Sequence, residues 1–342
     1  MIQLLFHAWE RRLASATKNR VVRPFEWGLD WIGNGSAPDA APQNVLRDWV
    51  AHVMQDTGAF FTPPPTSDYA VTHAEDSDQL TFPSAFVTPH AENNTVRCRY
   101  FPARARRPRA AVLVLPQWNA DANGHVGLCR LLAKNGLSAL RLSLPYHDRR
   151  MPPELERADY IVSSNIARTV QVCRQAVLDA RRAIHWLGAQ GYVRIGILGS
   201  SLGSCLALLT TAHEPLIRAQ ALNHISPYFA DVVWRGLSTR HVRQGLDGHI
   251  DLDLLRALWA PISPQLFLER VRGRPTLLVY GRYDLTFPVD LSEDLVRAFR
   301  ERDIPHEVAA LRCGHYSIGK APFKYVDGWI LTRFLKKALC AL

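Results

Sequence analysis

No apolar run in these 342 residues approaches the roughly 20 needed to span a bilayer, so no stable membrane insertion is expected. Cysteine is sparse: six residues, with no CxxC pair and no metal-ligand spacing. That excludes a disulfide-stapled mini-protein and gives no reason to expect a metal site. No secretory leader is expected either, because the charges Glu10, Arg11 and Arg12 follow the short apolar start (Ile2, Leu4, Leu5, Phe6) instead of preceding a longer one. A cytoplasmic protein is expected. Charged residues make up only 21% against 47% hydrophobic, too much core material for intrinsic disorder. Lysine is scarce, six against 35 arginines, and the net charge of +10 is scattered. The one dense run is Arg104, Arg106, Arg107 and Arg109, which reads as a solvated loop before a buried strand. No stacking aromatics or recognition helix accompany it, so nucleic acid is not an expected partner.

The first 70 residues differ from the rest. They carry Trp9, Trp27, Trp31 and Trp49, with breakers at Pro24, Gly33, Gly35, Pro38 and Pro42. Asn44–Met54 has the spacing of an amphipathic helix, with Val45, Leu46, Trp49, Val50 and Val53 on one face. Thr62-Pro-Pro-Pro-Thr66 reads as a stiff connector. Residues 1–70 are therefore expected to be a helical N-terminal extension of a main domain over 78–342.

Strand and helix alternate from Leu80 onward. Leu80–Thr88 and Thr95–Phe101 suit a hairpin. Continuous apolar runs follow at Ala110–Leu115, Ser138–Leu144, Val193–Leu198, Ala219–Ile225 and Thr276–Tyr280, with His306–Leu311 last. Such runs are strands covered on both faces, as in a parallel sheet. Helical patterns lie between them at Ala122–Asn135, Asn165–Gln190, Gly203–His213, Asp290–Arg302 and Phe323–Leu339. The longest shows the face Ile166, Val170, Cys173, Val177, Ala180, Ile184, Leu187. The expected class is α/β: a doubly wound, mostly parallel sheet with an antiparallel hairpin at its start. Residues 228–272 break the rhythm with short, apolar-rich pieces after a late strand. They are expected to form a small helical cap.

The sharpest chemical signal is Gly199-Ser-Ser-Leu-Gly203, a G-x-S-x-G directly after one strand and before a helix. The turn leaves no room for side chains at its flanks and pushes the central Ser201, not Ser200, out at the top of the sheet. A serine hydroxyl needs a base to become a nucleophile. His315, in Arg312-Cys-Gly-His-Tyr316 after the last strand, stands where the base is expected; His306, His241 and His249 do not, and His224 reads as a satisfied polar residue. Asp284, in Tyr280-Gly-Arg-Tyr-Asp284 after the next-to-last strand, is the expected carboxylate, with Asp290 the local rival and an expected helix N-cap. The order is Ser201, Asp284, His315.

On the GSSLGS elbow, the GRYDLTFP acid loop and the CGHYS histidine loop, the chain from about Leu80 resembles the α/β-hydrolase superfamily. The prolyl-oligopeptidase-like and acetyl-esterase-like branches are nearest, without a propeller, for which the first 80 residues offer no room. The resemblance implies an oxyanion hole of backbone N–H groups, from Leu202 and from Trp118, with Gln117 the alternative; Pro116-Gln-Trp-Asn119 stands where many relatives carry His-Gly. Asn119, Tyr146, Arg149, Tyr228 and Trp234 are candidates for substrate contact. An Asp148–Arg pair is the structural alternative for the Pro145–Arg150 segment. The implied activity is a serine carboxylesterase acting on a small-molecule ester, with no cofactor and no metal. Acyl transfer or thioester hydrolysis on the same three residues is the alternative, and a non-catalytic binding protein the third.

Overall fold

The computed structural model describes residues 2–33, 41–104 and 109–340. Gly35, Pro38, Arg106 and Arg107, singled out above, lie outside them. Among the described residues nine strands form one sheet, in the order β1-β2-β3-β5-β4-β6-β7-β8-β9. They are β1 (Ala70–Thr72), β2 (Asp78–Pro83), β3 (Thr95–Phe101), β4 (Ala110–Leu115), β5 (Ser138–Leu142), β6 (Arg194–Ser200), β7 (Ile217–Asn223), β8 (Thr276–Gly281) and β9 (Glu307–Leu311). From β5 to β9 all neighbours are parallel, whereas β1, β2 and β3 pair antiparallel and β3 meets β5 antiparallel. The short β1 has no apolar alternation and was invisible in the pattern. The hairpin is shorter than expected, because Pro83 ends β2 and a loop carries the chain from there to β3.

The helices are α1 (Ile2–Ser15), α2 (Pro42–Gln55), α3 (Thr57–Phe60), α4 (Val126–Lys134), α5 (Ile166–Ala189), α6 (Leu202–His213), α7 (Phe229–Arg235), α8 (Arg240–Leu246), α9 (Leu252–Leu258), α10 (Val289–Glu301) and α11 (Phe323–Cys340). All seven residues of the predicted α5 face are buried, and Asn165 caps the helix by accepting the Arg168 N–H at 3.0 Å. In α2 the buried residues are Leu46, Val50 and Val53, three of the five expected. Helix α10 starts after Pro288. Asp290 lies in its first turn and pairs with Arg235 at 2.7 Å, so it is not the N-cap the sequence led us to expect.

Two buried apolar layers sandwich the sheet. One is bounded by α5 and α6, the other by α4 and α11. The stretch between β7 and β8 packs most of its apolar surface on the first layer: Leu255, Leu258, Trp259, Ile262 and Phe267 are buried, and the Trp259 indole donates to the Ile166 carbonyl at 3.2 Å. Five of the cysteines are buried and all six are unpaired. No helix among the described residues is long and apolar enough to cross a membrane.

Candidate active site

The elbow forms because two backbones must nearly touch. A Cβ on Gly199 would run into the backbone of Gly203 and Ser204, and one on Gly203 into the carbonyls of Leu115 and Pro116. Between them Ser201 is held at φ 55°, ψ −119°, a conformation a non-glycine residue adopts only under constraint. Its N–H donates to the Asn223 carbonyl at 2.7 Å, which ties the turn to the neighbouring strand. Its Oγ makes no hydrogen bond among the described residues and borders a cleft of about 1280 Å³. The cleft opens at the carboxyl ends of the parallel strands, where α/β sheets bind their ligands.

Two loops meet opposite the elbow. After β8, Asp284 is buried and its Oδ1 accepts the N–H groups of Thr286 and Phe287 at 2.7 and 2.8 Å. After β9, His315 lines the cleft and its Nδ1 lies 3.1 Å from Asp284 Oδ2. Burial would push the Asp284 carboxyl up, but the charge of His315 and the facing imidazole hydrogen bonds hold it well below the usual carboxylate range. It is therefore ionised, an acceptor only, and His315 must donate from Nδ1, leaving Nε2 as the basic nitrogen. The ring of Phe287 stacks on His315 at 5.4 Å and fixes its plane. The structure thus brings Asp284 and His315 into contact and sets His315 on the same cleft as Ser201.

The histidine loop is anchored from the other end of the chain. Glu10 of α1 is fully buried, and its carboxylate accepts the N–H groups of Tyr316 and Ser317, both at 2.8 Å. A Cβ on Gly314 would collide with the Glu10 side chain, so glycine is needed there for this approach as well as for the turn. Phe6 stacks on Tyr283 in the acid loop at 4.5 Å, and Arg20 donates to the Tyr316 hydroxyl at 3.0 Å.

The candidate oxyanion donors border the cleft. Leu202 is the first residue of α6, so its N–H has no intrahelical acceptor, and the N–H groups of Leu202, Gln117 and Trp118 are all free among the described residues. The Trp118 side chain also packs: its indole donates to the Ala158 carbonyl at 2.8 Å and stacks on His241. Asn119 lines the cleft, but its N–H donates to His147 Nε2 at 2.9 Å and its Oδ1 accepts from Ala158 N at 2.8 Å, leaving only its Nδ2 free for a ligand.

Four candidate contact residues lie elsewhere. Tyr146 is buried in the core with its hydroxyl 3.0 Å from His90 Nδ1; emergence from a strand end did not bring it to the cleft, because its positive φ turns it inward. Arg149 is exposed and away from the cleft. Tyr228 lies under the Arg256 guanidinium, and Trp234 packs on the core beneath Arg243. From α7 it is instead Phe229, Val232 and Val233 that line the cleft, one turn face away. The structural pair of Asp148 is Arg141, at 3.1 Å, while Arg150 pairs with Asp179 at 2.8 Å.

Three polar residues on the cleft, His125, Asn223 and Asp327, were missed, and a fourth, His224, was read only as a satisfied polar residue. His125 Nε2 lies 2.9 Å from Ser200 Oγ. Asn223 donates to Asp327 at 3.0 Å, and burial raises that carboxyl to about 6 against the pull of His224 and Asn223. His224 is buried with Nδ1 2.7 Å from Asp284 Oδ2. His224, Asp284 and His315 are the one group among the described residues whose donor atoms crowd closely enough for a metal, but these atoms are hydrogen-bonded to one another. No sequence pattern marks the four; only their places after strands or on helices facing the cleft would have found them.

No family model and no curated protein matches the sequence. Solved structures do. An acetyl xylan esterase from Paenibacillus sp. R4 superposes with a TM-score of 0.62 at 13% identity, over 90% of this chain and 98% of that one. Acetyl xylan esterase 1 from Thermoanaerobacterium sp. gives 0.58 at 12%, over 91% and 99%. The acylaminoacyl peptidase of Pyrococcus horikoshii gives 0.59 at 14% and 79% of this chain. This chain has the α/β-hydrolase fold. It spans only 42% of the length of that peptidase chain.

Proposed function

We propose that this α/β-hydrolase-fold chain is a serine hydrolase that cleaves carboxylic esters of small molecules through an acyl-enzyme. Ser201 attacks the carbonyl carbon and His315 Nε2 takes the hydroxyl proton. Asp284 stabilises the resulting imidazolium, and the N–H groups of Leu202 and Trp118, with Gln117 the alternative, receive the oxyanion. His315 then returns the proton to the leaving alkoxide, and water resolves the ester by the same route. The observation that carries this reading is the ionised Asp284 bonded to His315 on the same cleft as a serine held at positive φ with an unengaged hydroxyl. The esterases among the structural neighbours support it at the level of the fold.

The reading takes residues 1–70 as an extension that serves the main domain of 78–342, through Glu10 above all, and 228–272 as a cap whose inner wall is Phe229, Val232 and Val233. A cytoplasmic location goes with it, on the free cysteines. A fluorophosphonate probe followed by peptide mapping tests the nucleophile: the adduct is expected on Ser201, and labelling elsewhere rejects the mechanism. For the cap, Phe229→Ala is expected to change relative kcat/KM across p-nitrophenyl esters from C2 to C12 by about fivefold, in proportion to roughly 1 kcal/mol of lost apolar contact. A uniform drop across chain lengths assigns Phe229 to folding alone.

A further inference from the structure

The catalytic carboxylate has two histidines on one oxygen. His224 follows the last residue of β7 at φ 57°, and its backbone N–H is tied to the Val279 carbonyl at 2.8 Å. Its ring is almost fully buried, 4.6 Å from that of His315, and its Nδ1 reaches Asp284 Oδ2 at 2.7 Å, closer than the 3.1 Å of His315. An ionised carboxylate only accepts, so both imidazoles donate from Nδ1. His224 Nε2 is then a buried acceptor without a partner among the described residues. Such a group persists only where something holds the ring in place.

We propose that His224 is a positioning residue for the catalytic acid: it holds Asp284 in place and draws on its charge, so that His315 works as a base at lower pH than it would alone. The inference rests on the triad reading above. Sharing Oδ2 divides the negative charge that would otherwise stabilise the His315 imidazolium. The charged and titratable groups facing His224 are Asp284 and His315 from the acid and histidine loops and Asp327 from α11. Glu10 of α1 acts on the histidine loop from beyond it.

The test compares His224→Leu, which removes the donor, with His224→Asn, which keeps an N–H for Asp284. In His224→Leu, kcat on a p-nitrophenyl ester is expected to fall about tenfold at little change in KM, and the acid limb of kcat/KM to move up by about half a pH unit or more. His224→Asn is expected to recover most of the rate and the native limb. Asp327→Asn, added to each, leaves the difference between them in place if the effect runs through Asp284. Equal impairment in both variants with an unmoved limb overturns the proposal. Should the leucine variant not fold, 15N-histidine NMR on Ser201→Ala decides: both His224 and His315 are expected as Nδ1–H tautomers, and an Nε2–H tautomer at His224 overturns the proposal. Labelling of Ser201 by the fluorophosphonate with an unmoved limb rejects this inference alone; labelling elsewhere rejects the triad and the inference together.

Discussion

Ser200 and Ser201 are neighbours in the chain, both border a cleft that histidines also line, and they are in opposite states. Ser200 still belongs to β6, and its hydroxyl is engaged with His125 Nε2 at 2.9 Å. His125 is half-buried, stands near Arg141 and has no carboxylate on its ring among the described residues; desolvation first, and Arg141 second, lower it to about 4. Ser201 has left the strand, sits at positive φ, and shares a cleft with an imidazole backed by an ionised aspartate. A Ser–His contact alone is therefore a poor guide to chemistry. The carboxylate behind the ring and the freedom of the hydroxyl separate the two.

The largest effect should come from exchanging the two. Ser201→Ala is expected to lower kcat by about 10³-fold or more with the fold intact, while Ser200→Ala stays within about threefold. The reverse ranking would transfer the chemistry to the Ser200–His125 pair. Acid should act next, and on stability. Folded His125, His147, His213 and His241 are held neutral to about 4, chiefly by burial, whereas the unfolded chain protonates from about 6.5. Stability is then complete above about pH 6.5 and is lost as pH falls toward 4, by up to about 3 kcal/mol per buried histidine before screening. The depressed Asp284 adds a further loss of the same sign only below about pH 4, where the unfolded carboxyl protonates first. Urea midpoints that stay level from pH 7 to 4.5 would contradict this.

Glu10→Ala should come third. It leaves two buried N–H groups of the histidine loop without an acceptor, at a cost of about 2–4 kcal/mol, and lowers kcat by letting His315 drift from Asp284. Wild-type thermal stability and kcat in this variant would detach α1 from the site. Asp327→Asn should have the smallest effect and the opposite sign to the histidines. The Asp327 carboxyl is raised by burial to about 6, so its penalty is absent below about pH 4 and complete above 6. The variant should gain about 1–2 kcal/mol at pH 7 after screening, and nothing at pH 4. Equal gains at both pH values would mean that the carboxyl titrates normally.

The candidate site was legible where covalent neighbours impose the geometry. Gly199 and Gly203 exist because two backbones touch at the elbow, and that demand appears as spacing around Ser201. Asp284 and His315 each follow an apolar strand, so their order along the chain located them. Pattern failed where a residue acts across the fold. Tyr146 and Trp234 sat in promising segments but turned into the core, and Phe229 and Val232, ordinary apolar residues in sequence, line the cleft instead. His224 looked like a strand-end polar residue because its partner, Asp284, is sixty residues away.

By itself, then, the sequence determined the alternation of strands and helices, the strained elbow and the two loops that flank it, since each is written in local steric and hydrophobic periods of a few residues. Only the tertiary structure decided that Glu10 anchors the histidine loop 306 residues later, that His224 shares the oxygen of Asp284, and that Ser200 is held by His125. Hydrogen bonds between distant buried groups depend on which loops the sheet order brings together, and no local period encodes that order.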